Sequence, residues 1–179
     1  MSSTGAYFKL GENALAVPME LHKLNRANLC RRIQKVWSDL AATTGGAPTQ
    51  DLAGVYILLQ GGSAVPHGGS DADDVFRQES YFHWAFGGLE PDWYGAIEVT
   101  TQRAILFVPE IPESVAVYIG EPLSRAQIAE RYAVDEVHFT NKICDFFTDH
   151  KAALLLTLYG LNTDSGRPTA EAKFEGIEK

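Results

Sequence analysis

The side chains able to do chemistry are scattered along this chain, and few of them fall at spacings that a reaction needs. Five histidines are present, His22, His67, His83, His138 and His150. A zinc or two-metal centre requires several ligands converging at fixed spacing. The tightest cluster, Asp135, Glu136 and His138, is not an HExxH helix. On a strand it puts Glu136 and His138 on one face and Asp135 on the other, which reads as a surface charge cluster. The acids Asp71, Asp73 and Asp74 invite a calcium reading. An EF-hand loop counted from Asp71 would need Gly at its sixth place and Glu at its twelfth, where Phe76 and Phe82 stand. Ser80 is not in a GxSxG elbow. Cys30 and Cys144 form no CxxC pair and have no histidine beside them in sequence. Gly61-Gly62 and Gly68-Gly69 continue into neither a P-loop nor a dinucleotide fingerprint. Spacing alone therefore marks no active site. The densest unusual segment runs Phe76-Arg77-Gln78-Glu79-Ser80-Tyr81-Phe82-His83-Trp84-Ala85-Phe86-Gly87. It sets Arg77 and Glu79 beside apolar residues that want burial, so both must pair or hydrogen-bond to tolerate desolvation.

These residues must be positioned by an α/β arrangement. Residues 1 to 18 look extended, with Pro18 closing the arm. Leu21, Leu24, Leu29, Ile33, Val36 and Leu40 recur at helical spacing and predict a helix with an apolar stripe. Lys23, Arg26, Arg31, Arg32 and Lys35 fall between them and read as a solvated face. Gly45, Gly46 and Pro48 close the helix. Residues 54 to 60 predict a buried strand, and residues 61 to 74 a mobile, Gly-rich loop. Ser80, Phe82, Trp84 and Phe86 alternate with Tyr81, His83 and Ala85, the period of an aromatic strand. Two strands, 94 to 99 and 104 to 108, flank a short Thr100-Thr101-Gln102 turn, and Pro109 and Pro112 end the second. Ser124 with Gln127 makes a capping box. A strand at 134 to 139, a helix N-capped by Thr140 and running through Phe147, and a strand at 153 to 158 follow. The early strands are close enough to run antiparallel. The last two are each reached through a helix, which predicts parallel crossovers and a mixed sheet flanked by helices.

The chain has 179 residues, 45% hydrophobic and 21% charged. That is one domain able to bury about 70% of its unfolded surface. Lys and Arg total 15 against 23 for Asp and Glu, a net charge of −8, which argues against nucleic acid or an anionic membrane as partner. No run approaches the roughly 18 apolar residues of a membrane span. The first ten residues lack a secretory pattern, and two unmatched cysteines fit a reducing compartment. A cytoplasmic domain is the expectation.

One segment adds a resemblance. Phe76, Arg77, Gln78, Glu79, Ser80, Phe82, Trp84 and Gly87, followed by Glu90 and Pro91, resemble the signature of the N-terminal domain of the prolidase (Xaa-Pro dipeptidase) family, which includes aminopeptidase P and creatinase. Leu106 to Pro109, Tyr132 to Asp135, Gly160 to Gly166 and the opening helix agree, so the likeness runs over residues 7 to 178. Phe86 departs from the Thr usual in aminopeptidase P relatives and is similar to eukaryotic-type prolidases. The resemblance implies a ribonuclease H-like mixed α/β fold over residues 1–179 as a single N-terminal domain. It also implies a separate C-terminal "pita-bread" half, absent from this chain, that binds two manganese ions. The implied parent is a metallopeptidase that hydrolyses dipeptides with C-terminal proline and forms a homodimer. This domain would support the dimer, wall the cleft and be inactive alone, with no metal ligand of its own. Tyr118 is implied as a substrate-binding residue; it matches an aromatic position, usually Trp, that reaches the neighbouring subunit's active site. A stand-alone binding or oligomerisation module derived from the same domain is the alternative.

Overall fold

The computed structural model describes residues 6–43, 51–169 and 171–177. Its frame is a five-stranded mixed sheet of β3 (Val55–Gln60), β4 (Tyr94–Glu98), β5 (Ala104–Val108), β6 (Glu136–Phe139) and β7 (Leu154–Thr157). The spatial order is β6-β5-β4-β3-β7. Strands β3, β4 and β5 run antiparallel, with Ile57 opposite Ile97 and Ala96 opposite Ile105. Both outer strands join parallel, β6 on β5 and β7 on β3. The antiparallel meander followed by two crossovers is the arrangement that the chain order predicts. A small ribbon of β1 (Tyr7–Phe8) and β2 (Val17–Pro18) precedes it.

The helices are α1 (Glu20–Thr43), α2 (Ser80–Phe86), α3 (Glu113–Ile119), α4 (Arg125–Tyr132) and α5 (Ile143–Asp149). Helix α4 carries the expected capping box between Ser124 and Gln127. Thr140 does not cap α5. It opens a 3₁₀ turn, Thr140–Lys142, and α5 starts after Lys142 without a side-chain cap. The strand expected at Ser80 to Phe86 is helix α2. Phe82, Ala85 and Phe86 are its buried residues, the i, i+3, i+4 set of a helix. The local signals were at its ends. The Glu79 carboxylate accepts from Phe82 N at 2.7 Å, and Gly87 closes the helix at φ 67°. With aromatic rings at 81, 82, 83, 84 and 86, the segment satisfies both periods, so the alternation did not decide between strand and helix. Helix α3, in a stretch to which the sequence reading assigned no element, runs between Pro112, which makes no side-chain cap, and Gly120 at φ 85°.

Helix α1 also differs from its expected orientation. Leu21, Leu24 and Val36 are exposed, and the core-facing line is Met19, His22, Arg26, Cys30 and Trp37. The side chain of Leu40, together with Gly45, Gly46 and Pro48, lies outside the described residues. Arg26, expected on a solvated face, is 2% exposed. Burial pushes its guanidinium down to about 10, still protonated at neutral pH. Burial likewise pushes the Cys30 thiol up to about 11, so it is no thiolate nucleophile. The loop at 61 to 74 is tied by its own backbone. His67 N donates to Ala72 O and Asp74 N to Val65 O, both at 2.8 Å.

His22 locks α1 to α2. Its Nδ1 lies 2.9 Å from Trp84 O, and its ring fills the space above Gly87. The ring faces His83 on α2 and is near Arg26 on α1. Burial holds its pKa below the usual 6.5 against the raising effect of the Trp84 carbonyl, and the two basic neighbours lower it further. The folded state therefore prefers neutral His22 while the unfolded chain takes up a proton near pH 6.5. The stability from His22 is complete above that pH and is lost as pH falls through the lower folded value. The urea midpoint of the wild type is expected to drop more steeply from pH 7.5 to 5.5 than that of His22→Gln. Parallel pH profiles would show that His22 does not carry the effect.

Candidate functional site

The resemblance segment is a girder that shapes a hollow. The Gln78 side chain makes three bonds. Its Oε1 accepts from Gly62 N at 2.6 Å and Glu79 N at 2.9 Å, and its Nε2 donates to Glu90 O at 3.0 Å. The end of β3, the start of α2 and the Glu90-Pro91 turn are thereby tied together. Glu90 then reaches across the fold. Its Oε2 accepts from Tyr132 Oη at 2.6 Å and from Leu89 N at 3.1 Å. Burial, followed by the Glu90 carboxylate, raises the Tyr132 phenol, so it stays a donor at neutral pH. Trp93 packs edge-on against Tyr132 at 5.2 Å.

Above this turn lies a hollow of about 700 Å³. Its apolar floor is Trp93, Val108, Ile128 and Phe139, and its walls are residues 90 to 92, 109 to 111 and 120 to 125. Four of the lining residues are acids, Glu90, Asp92, Glu110 and Glu121, against one cation, Arg125. Arg125 sits 5.2 Å over the Phe139 ring. An apolar floor with a negative rim favours a ligand that joins an apolar body to a cationic group. No His or Cys lines it, and the Ser124 hydroxyl is bonded to Gln127 Oε1 at 2.9 Å. The hollow holds no nucleophile–base pair.

Of the residues singled out in sequence, Glu90 and Pro91 border the hollow directly. Phe76 lies against Gly62, and Glu79 caps α2. Phe82 stacks on Phe86 at 5.3 Å and is pressed by Gly88. Gly87 gives way to His22. Trp84 and Ser80 line a second hollow on the other side of α2. Arg77 is exposed, so the expectation that desolvation obliges it to pair or hydrogen-bond is corrected, while Glu79 does hydrogen-bond, to Phe82 N. Tyr118 is 88% exposed on α3, whose following Gly120 enters the hollow's wall. Glu136 and His138 do share a face, 2.9 Å apart, while Asp135 accepts from Ala104 N at 2.7 Å. Among the described residues no group of three or more His, Cys, Asp or Glu is placed to hold a metal ion. No described helix is long and apolar enough to cross a membrane.

Tyr132 was not visible as a site residue in sequence, because it lies 42 positions from Glu90. Tyr132→Phe keeps the ring and removes the donor to a charged acceptor. It is expected to cost about 1.5–3 kcal/mol of stability by urea unfolding. A loss under about 0.5 kcal/mol would mean that the hydroxyl adds nothing beyond the ring's packing.

Comparison with known proteins agrees with this architecture. Residues 22–156 match the family model described as aminopeptidase P, N-terminal domain. The chain is 43% identical over 178 residues to a Homo sapiens protein named Xaa-Pro dipeptidase, covering 99% of this chain and 34% of that protein. A Mus musculus protein of the same name is 42% identical over 172 residues, covering 96% and 32%. The chain thus spans about a third of the length of these relatives. A Pseudomonas aeruginosa aminopeptidase PepP structure superposes with TM-score 0.56 at 17% identity, over 75% of this chain and 26% of that one. A substituted Escherichia coli aminopeptidase P also gives TM-score 0.56 at 17% identity, covering 75% and 27%. These two likenesses concern fold alone. With the family model spanning most of the described sheet and helices, and with identity running nearly end to end, this chain belongs to the aminopeptidase P N-terminal domain family.

Proposed function

We propose that this chain is the N-terminal domain of a cytoplasmic, manganese-dependent Xaa-Pro dipeptidase that cleaves dipeptides ending in proline. One observation carries the reading, the 43% identity over 99% of the chain to a protein of that name. The described residues do not fit a metal centre. The two ions and the bond-breaking step are assigned to the separate catalytic half that the family resemblance implies, in keeping with a chain that covers 34% of that relative. The part of this chain is to shape the cleft and support a homodimer. Helix α3 projects Tyr118, whose flat apolar ring suits a prolyl ring. The acid-rimmed hollow beside it suits the free amino end of a dipeptide.

An antibody against this chain, used on source cells, is expected to detect a product of more than twice 19.6 kDa. The purified 179-residue chain with manganese is expected to release no proline from Gly-Pro. Hydrolysis by the chain alone would refute the division of labour. In the parent enzyme, Tyr118→Ala is expected to raise KM for Gly-Pro by about tenfold, equivalent to ~1.4 kcal/mol of lost ring contact. An unchanged KM and kcat would remove Tyr118 from the substrate site.

A further inference from the structure

The hollow walled by residues 90 to 92, 109 to 111 and 120 to 125 is larger than an amino group needs. It encloses about 700 Å³, against the roughly 30 Å³ that a water-sized group takes up in the liquid. Its floor and walls are all supplied by this chain. Pro91, Pro109 and Pro122 stand in the walls, where a fixed φ keeps the backbone from closing in. The floor of Trp93, Val108, Ile128 and Phe139 is apolar, which an ammonium alone would not use. A long side chain with a cation at its tip uses both parts. Its methylene stem lies along the floor and its head stays at the wet rim.

The charges around the rim set the sign. Glu90, Asp92, Glu110 and Glu121 stand against one cation, Arg125, whose guanidinium lies over the Phe139 ring. Glu90 accepts from Tyr132 Oη and Leu89 N, and Glu110 accepts from Asn141 Nδ2 at 3.2 Å. Among the described residues none of the four carboxylates is in an ion pair. A cationic head at this rim is attracted by all four, and a carboxylate there is repelled by them. The hollow also adjoins the residue assigned to the prolyl ring. Gly120, in its wall, is two residues from Tyr118, so their Cα atoms are at most about 7 Å apart. Adjacent residues of a peptide are about 3.8 Å apart. A dipeptide with its proline on Tyr118 therefore has the reach to put a long first side chain into the hollow.

We propose that this hollow is the pocket for the residue before proline, and that its rim selects dipeptides beginning with Lys or Arg. This selection rests on the reading of Tyr118 as the prolyl contact and names the substrate class that the same cleft prefers. The measurement is kcat/KM of the parent enzyme, with its manganese, for Lys-Pro, Met-Pro and Glu-Pro, whose first side chains are similar in length and differ in charge. At low salt Lys-Pro is expected to exceed Glu-Pro by about tenfold or more, with Met-Pro between them. The gap should narrow as salt screens the exposed rim. Asp92→Asn combined with Glu121→Gln should shrink the ratio of Lys-Pro to Glu-Pro by about fivefold. Both changes are near-isosteric at exposed positions, and Asn tolerates the φ of 63° at residue 92. Asp71→Asn combined with Asp73→Asn removes two charges that do not line the hollow and should leave the ratio unchanged. Equal kcat/KM for the three dipeptides, a preference for Glu-Pro, or a ratio that the rim pair shifts no more than the loop pair does would overturn the hollow as the selecting pocket while the dipeptidase reading stands. No release of proline from any of the three would overturn that reading, and the proposed selection with it.

Discussion

Arg26→Ala is expected to destabilise the fold by about 3–5 kcal/mol, and on a domain of this size to lower Tm by ~10 °C. Arg26 holds three pieces together. Its Nη1 donates to Ala85 O at 2.9 Å, and its Nη2 to Ala133 O at 2.5 Å. Its guanidinium lies 5.3 Å over the Phe86 ring. The two carbonyls terminate α2 and α4, where helix ends leave acceptors without intrahelical donors. Removing Arg26 leaves both unsatisfied in a buried region and opens a cavity beside Phe86. Arg26→Lys separates charge from geometry. One ammonium keeps the charge but cannot reproduce the planar fork spanning two carbonyls. It should recover less than half of the loss. Full recovery by Lys would mean that charge near Asp135, and not the fork, is what matters.

Gly95→Ala is expected to cost about 3 kcal/mol, at the upper end for overpacking a core. A Cβ at this position of β4 would stand 2.2 Å from Cε2 and 2.4 Å from Cζ of Phe86. Phe86 is fully buried and is held between the Phe82 stack and Arg26, so its ring has no room to retreat. Gly95 pairs with Leu59 on one side and Leu106 on the other, so backbone relief would break register in the middle of the sheet. The clash predicts its own remedy. Phe86→Leu, itself destabilising, should recover part of the loss when combined with Gly95→Ala. The coupling read from the double-mutant cycle should exceed about 1 kcal/mol. Additive losses would place the cost in β4 and not in the ring.

Much of the sheet was legible in the sequence because its signals are local. Val55 to Gln60 and Ala104 to Val108 are short apolar runs bounded by turn residues. The Thr100–Gln102 turn requires its flanking strands to be neighbours. Two helix-length connections require β6 and β7 to enter parallel. The capping box at Ser124 is four residues of chemistry that needs no tertiary partner. The family resemblance is likewise local, a signature of consecutive residues.

What the tertiary structure alone decided is the placement of polar side chains that act at long range. The 76 to 87 segment fits both a two-residue and a 3.6-residue period, and only the fit of Phe82 and Phe86 beneath Gly88 and Gly95 selects the helix. The apolar line on α1 predicted a core face, yet His22 and Arg26 took it, because they satisfy carbonyls of α2 and α4 that leucine could not. Gln78, Glu90 and Tyr132 make one continuous tie from residues up to 54 positions apart. A hydrogen bond across such a distance leaves no periodicity in the chain; it exists only once the sheet has set its partners side by side.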